Sequence, residues 1–203
     1  VYGLPDLSVM AAACEVDEHH SLTVILQSDR FGGDWETLLR QLFSPDIRKL
    51  AHNVKDMIRA LLERGIHADG FIFDTALAGY LLDATAGGYD LPRLFMGYCG
   101  VELPAPAHLE PDAFSPLGSN PAAEAALCSY ASAIDALYGV LPSKLEALNM
   151  TALLHEMELP LCRVLAQMEH TGFRIDTAAL SRFGQTLQQQ IAALEHAIYD
   201  MAG

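Results

Sequence analysis

The chain has 203 residues, 51% of them apolar and 19% charged, a composition that builds a globular core and excludes a disordered tail. Twelve Lys and Arg stand against 26 Asp and Glu, and the formal net charge of -14 excludes attraction of phosphate by the chain as a whole. With no run of about 18 uncharged apolar residues and no basic-then-apolar leader, the expectation is a cytoplasmic protein, and a start at Val1 without Met reads as a piece of something longer.

Val9 to Cys14 and Ser21 to Leu26 are strand-like runs on either side of Glu15-Val16-Asp17-Glu18-His19-His20, and a hairpin is their simplest arrangement. Asp34 caps a helix that stops before Pro45, and Lys49 to His52 is expected to be a strand. Val54, Met57, Ile58, Leu61 and Leu62 then recur at the three-and-four spacing of one helical face, with Gly65 where a left-handed cap is wanted. Arg48, Lys49, Lys55 and Arg59 are the one local concentration of cations and read as a solvated helix face. Gly70-Phe71-Ile72-Phe73 suits a short inner strand, and Asp74-Thr75 caps a helix with Leu77, Tyr80, Leu81 and Leu82.

Gly97 to Pro121, rich in Pro, Ala, Gly and Ser, reads as a long surface loop. Ala122 to Leu141 is expected to be a helix with Leu127, Ala131, Ile134, Leu137 and Leu141 on its buried stripe, ended by Pro142. Gly172 breaks a further helix. Asp176 or Thr177 caps the last one, on which Leu180, Phe183, Leu187, Ile191, Leu194, Ile198 and Met201 form one apolar face. Cys14, Cys99, Cys128 and Cys162 are far apart, and neither they nor the eight histidines show metal-ligand spacing.

Three stretches resemble the bacterial family A DNA polymerases, the DNA polymerase I family. His52-Asn53-Val54-Lys55, then Gly65-Ile66, then Phe73-Asp74-Thr75-Ala76-Leu77-Ala78-Gly79-Tyr80-Leu81-Leu82 look like that family's 3′–5′ exonuclease domain. Gly87-Gly88-Tyr89-Asp90-Leu91-Pro92-Arg93-Leu94 is similar to a segment that forms a short helix there. Glu158-Leu159-Pro160-Leu161, Val164-Leu165, Met168-Glu169, Gly172, Ile175-Asp176 and Leu180 resemble the entry into the polymerase domain.

The resemblance implies a ribonuclease-H-like exonuclease fold, a mixed α/β sheet flanked by helices, over residues 1–150, and over 151–203 the opening helices of the polymerase thumb. It also implies an active site of carboxylates around two metal ions roughly 4 Å apart. In the family these carboxylates come from Asp-x-Glu on the first strand, from the end of Asn-x-Lys-x-Asp and from the end of Tyr-x-x-x-Asp. Here Asn53-Val54-Lys55-Asp56-Met57 puts Met57 at the second position, with Asp56 one residue early, a rotation of about 100° on a helix. Tyr130-Ala131-Ser132-Ala133-Ile134 puts Ile134 at the third, with Asp135 one residue late. The first site is expected either before Val1 or as a rearranged remnant at Glu15-Val16-Asp17, a stretch that also reads as a solvated turn.

The resulting expectation is a part of a DNA-directed DNA polymerase whose exonuclease-like domain is structural and metal-free. No cofactor is expected in this stretch. Magnesium and DNA are expected to engage the rest of the polymerase, which also packs on the C-terminal helices. Two alternatives stand beside it: an active exonuclease with Asp56, Asp135 and Glu15 or Asp17 converging, and a non-catalytic interaction domain.

Overall fold

A short strand, β1 (Tyr2–Gly3), pairs antiparallel with β2 (Val9–Asp17), which pairs antiparallel with β3 (His20–Gln27) as the expected hairpin. The computed structural model describes residues 1–17, 20–114, 118 and 120–202, excluding the side chains of residues 16, 17, 20, 107, 111 and 202. Along β2 the period-two alternation of a strand turns Val9 and Ala11 into one core and Met10 into another, so the sheet is covered on both faces.

The second core is built by α1 (Trp35–Leu42) and α2 (Val54–Glu63). Trp35, Leu39, Val54, Met57, Ile58 and Leu61 are buried there. Asp34 accepts from the Glu36 N–H at the start of α1, and Gly65 closes α2 at φ 67°. Before α2 lies β4 (Lys49–Ala51), and after it β5 (Phe71–Asp74), parallel to β4, so the three form a β-α-β unit. The expected mixed sheet is therefore two hydrogen-bonded sheets, antiparallel β1-β2-β3 and parallel β4-β5. The Val1 nitrogen links them by donating to the Leu50 carbonyl at 2.7 Å.

The first core lies under α3 (Thr75–Leu82), α4 (Leu91–Cys99) and α5 (Pro121–Tyr138), and α5 packs on β2. The helical run Pro121–Ala147 is long and apolar enough to cross a membrane by composition, but Ala126, Leu127, Ala131, Ile134 and Leu137 spend that apolarity inside the protein's own core. Gly139 follows α5, and Pro142 starts α6 (Leu141–Ala147) instead of merely ending its predecessor, because a helix's first turn has no use for the missing N–H.

The expected surface loop is also corrected. Helix α4 reaches Cys99, two 3₁₀ turns occupy Pro106–Leu109 and Pro111–Ala113, and Leu103, Leu109 and Phe114 are buried in the first core. Residues 115–117 and 119 of that stretch lie outside the described ones.

After α7 (Thr151–Leu153) comes a π turn, Leu154–Glu158, and then α8 (Leu159–Thr171). Pro160 would drive its ring into the carbonyl four residues back in a regular helix, and the wider turn precedes that point. Cys162 and Ala166 of α8 are buried in the second core beside α2. The first compact unit therefore runs from Val1 to His170, twenty residues past the division expected at 150/151. The second, Thr171–Gly203, consists chiefly of α9 (Thr177–Ala202), capped by Asp176 accepting from the Ala179 N–H, with Leu180, Phe183, Leu187, Ile191, Leu194 and Ile198 exposed.

Lys49 overturns the reading of the basic cluster as a solvated face. It is 2% exposed on β4, its ammonium donating to the carbonyls of Ser44 (2.8 Å) and Ile47 (2.6 Å) above the rings of Phe43 and Phe71. Burial pulls it down to about 8, against the charge of Asp69. Gly70, at φ 77°, completes this corner, where a Cβ would strike the Ile47 and Ser44 carbonyl oxygens. Gly70→Ala should cost about 2 kcal/mol of stability, read as a lowered urea midpoint at unchanged slope; an unchanged midpoint removes this account.

Candidate functional site

Helix α2 presents two faces at the positions the resemblance singles out. Met57 is 7% exposed in the second core, and Asp56 is turned to solvent, its carboxylate 3.7 Å from the Lys55 ammonium. The same split occurs on α5, where Ile134 is 1% exposed in the first core and Asp135 is exposed. Tyr130 is buried against Tyr2, ring centroids 5.0 Å apart, and donates its hydroxyl to the Pro104 carbonyl at 3.0 Å. Burial pushes that phenol up to about 12.

Glu15 is exposed on β2 opposite Ser21, beside a register shift that runs to Asp17. The Asp17 side chain lies outside the described residues. A cleft of about 430 Å³ is lined by Tyr2, Leu4, His52, Asn53, Met57 and Leu109, with Asp56 the one carboxylate among its lining residues. Divalent ions of the exonuclease type need several carboxylate oxygens converging on one point, and a thioether does not replace one. Among the described residues no group of three or more His, Cys, Asp or Glu side chains is placed to hold a metal ion. The described residues at this cleft do not fit a two-metal centre.

Next to this cleft stands Asp74, 2% exposed, at the junction of two helices. Its Oδ1 accepts from the N–H groups of Ala76 (2.8 Å) and Asn53 (3.1 Å), and its Oδ2 from Val54 (2.7 Å). It caps α3, as the sequence suggests, and also receives the first N–H groups of α2, a role with no signal in local sequence because the partners are twenty residues away. Burial pushes its carboxyl up while the N–H donors hold it down, and burial is the larger influence. His52 is buried alongside, Nδ1 2.8 Å from the Thr75 hydroxyl, and burial pulls it down to about 4 against the attraction of Asp90. The Asp74 oxygens are taken up by backbone N–H groups and the His52 Nδ1 by the Thr75 hydroxyl.

Lys55 and Arg59 of the basic cluster, and Arg163 of α8, are matched. Lys55 reaches Glu169 of α8 at 2.5 Å, Arg59 pairs with Glu63 and lies 3.8 Å from the same Glu169, and Arg163 of α8 pairs with Asp69 at 2.7 Å. These pairs fasten α8 to the β-α-β unit.

No protein-family model matches the chain. DNA polymerase I of Geobacillus stearothermophilus is 33% identical over 158 residues, 77% of this chain and 18% of that protein. DNA polymerase I of Mycobacterium bovis is 31% identical over 201 residues, 98% of this chain and 22% of that protein. The POL domain of Pol1 from M. smegmatis, solved in complex with DNA primer-template and dNTP, superposes with a TM-score of 0.66 at 27% identity, covering 88% of this chain and 28% of that one. The chain thus spans about a fifth of the length of the curated relatives it matches. The chain is similar to bacterial DNA polymerase I along nearly its whole length, with a mixed α/β architecture close to that of a solved polymerase domain.

Proposed function

We propose that the chain is part of a cytoplasmic DNA-directed DNA polymerase I of DNA replication and repair, and that its α/β unit has the ribonuclease-H-like exonuclease fold without the exonuclease's activity. The observation that supports this reading is the pair of buried apolar side chains, Met57 and Ile134, at the positions where the family resemblance calls for carboxylates. Their neighbours Asp56 and Asp135 face solvent instead. The unit then acts as a scaffold for the polymerase. Nucleotidyl transfer, its magnesium and the grip on primer-template belong to the rest of the chain, which also covers the exposed apolar stripe of α9.

Manganese titration into the chain by calorimetry tests the metal-free reading. The expected result is no saturable heat in the micromolar range; a two-site isotherm there that vanishes in Asp56→Ala overturns it in favour of an active nuclease. A reading frame that continues past Gly203 with polymerase motifs separates the polymerase from a free-standing interaction domain.

A further inference from the structure

A cleft of about 580 Å³ lies where α8 and the π turn meet α2 and the β4-β5 sheet, apart from the cleft beside Met57. That volume falls within the roughly 300–1,000 Å³ of small-molecule sites. Its polar groups are Arg48, His155, Arg163 and Asp69, and its apolar wall includes Phe71, Ile72 and Leu159. In a chain of formal charge -14, a cleft with two arginines and one carboxylate is an exception.

The carboxylate is already engaged. Asp69 Oδ1 accepts from the Gly70 N–H at 2.7 Å and from the Arg163 guanidinium at 2.7 Å, which holds it below the usual carboxylate range. Asp69 thereby acts as a brace that fixes the Arg163 fork at the cleft. Arg48 and His155 have no hydrogen-bond or ion-pair partner among the described residues, so their donors are open to a ligand. The π turn Leu154–Glu158 sets His155 at the wall, and such turns recur at binding sites.

We propose that this cleft binds a nucleotide unit, with its phosphate held by Arg48 and Arg163 and its base laid against Phe71 and Ile72. A guanidinium fork matches phosphate oxygens in pairs, and the Phe71 ring with Ile72 beside it offers a base an apolar surface next to the cations. An isolated phosphate would leave the apolar wall unused. The unit comes either from a free nucleotide or from a single strand, and the two sources share this chemistry. The proposal stands whether or not the metal-free reading of the other cleft survives.

The test is an NMR titration of the full chain with thymidine 5′-monophosphate, thymidine, inorganic phosphate and a short oligothymidylate. The monophosphate should saturate in the sub-millimolar range with shifts at Phe71, Ile72 and His155, about tenfold tighter than thymidine or phosphate alone. Arg48→Ala and Arg163→Ala should each weaken it about tenfold, and Arg48→Lys by less, with the remaining amide spectrum unchanged. Oligothymidylate binding at least tenfold tighter than the monophosphate at the same residues assigns the site to a strand, and equal affinity assigns it to a free nucleotide. No saturation by about 10 mM monophosphate, phosphate binding as well as the nucleotide, or folded arginine variants that bind undiminished would overturn the proposal.

Discussion

Asp74→Ala should lower the free energy of unfolding by about 4 kcal/mol, and Asp74→Asn by about 2 kcal/mol. The alanine leaves the N–H groups of Asn53, Val54 and Ala76 without their buried acceptor, at the start of two helices whose positive dipole ends converge on it. Asparagine keeps an oxygen for the start of α3 but turns an amide donor towards the Val54 donor. The expected loss is one of folding, because the donors left behind are the backbone N–H groups that start α2 and α3. Urea unfolding followed by far-UV circular dichroism at pH 7 measures both. A cost for Asp74→Ala below about 1 kcal/mol would mean that water or a backbone shift satisfies the donors, and that the double cap is not what joins α2 to α3.

What the sequence discloses about this corner follows the range of the interaction. The stripe of Val54, Met57, Ile58 and Leu61, the left-handed Gly65 and the Asp74 cap of α3 depend on neighbours within one or two turns, and all three have sequence patterns of their own. The second half of the Asp74 cap, the contact of Lys49 with Phe71 and the pair that fastens Lys55 of α2 to Glu169 of α8 depend on segments twenty to more than a hundred residues apart. No local period encodes them. Pro142 is ambiguous in principle, since a proline stops one helix and starts another equally well. Gly97 to Pro121 misled because its prolines and glycines mask three core side chains, Leu103, Leu109 and Phe114.

The candidate site follows the same division. That Met57 faces the core and Asp56 does not is a consequence of helical rotation and could be read residue by residue. That the cleft beside Met57 is walled by Tyr2 and Leu109 could not, because those residues arrive from a strand and a 3₁₀ turn. The cationic cleft was invisible for the same reason: Arg48, His155 and Arg163 share no element, and in the sequence Arg48 belongs to a cluster whose other members prove to be buried or paired.

Acidification from pH 7 to pH 4 should cost the chain about 3 kcal/mol through His52 alone. Its ordinary value of 6.5 is pulled down to about 4 in the fold, because burial penalises the imidazolium more than Asp90 attracts it. Between those values the unfolded chain takes up a proton that the folded chain refuses. The stabilisation is therefore fully present above pH 6.5 and is lost progressively as pH falls towards 4. Each pH unit of that window contributes about 1.4 kcal/mol, which sets the size of the effect. Carboxylates titrate in the same range, so the effect belongs to His52 only as a difference between proteins. His52→Gln keeps a polar partner for the Thr75 hydroxyl and cannot ionise, so it should flatten the dependence of unfolding free energy on pH between 6.5 and 4 even where it is less stable at pH 7. Parallel curves for the two proteins would place the proton uptake elsewhere. They would also show that His52 accepts a proton inside the fold, which would put a titrating group beside Asn53 and Met57 at the wall of the cleft that Tyr2 and Leu109 line.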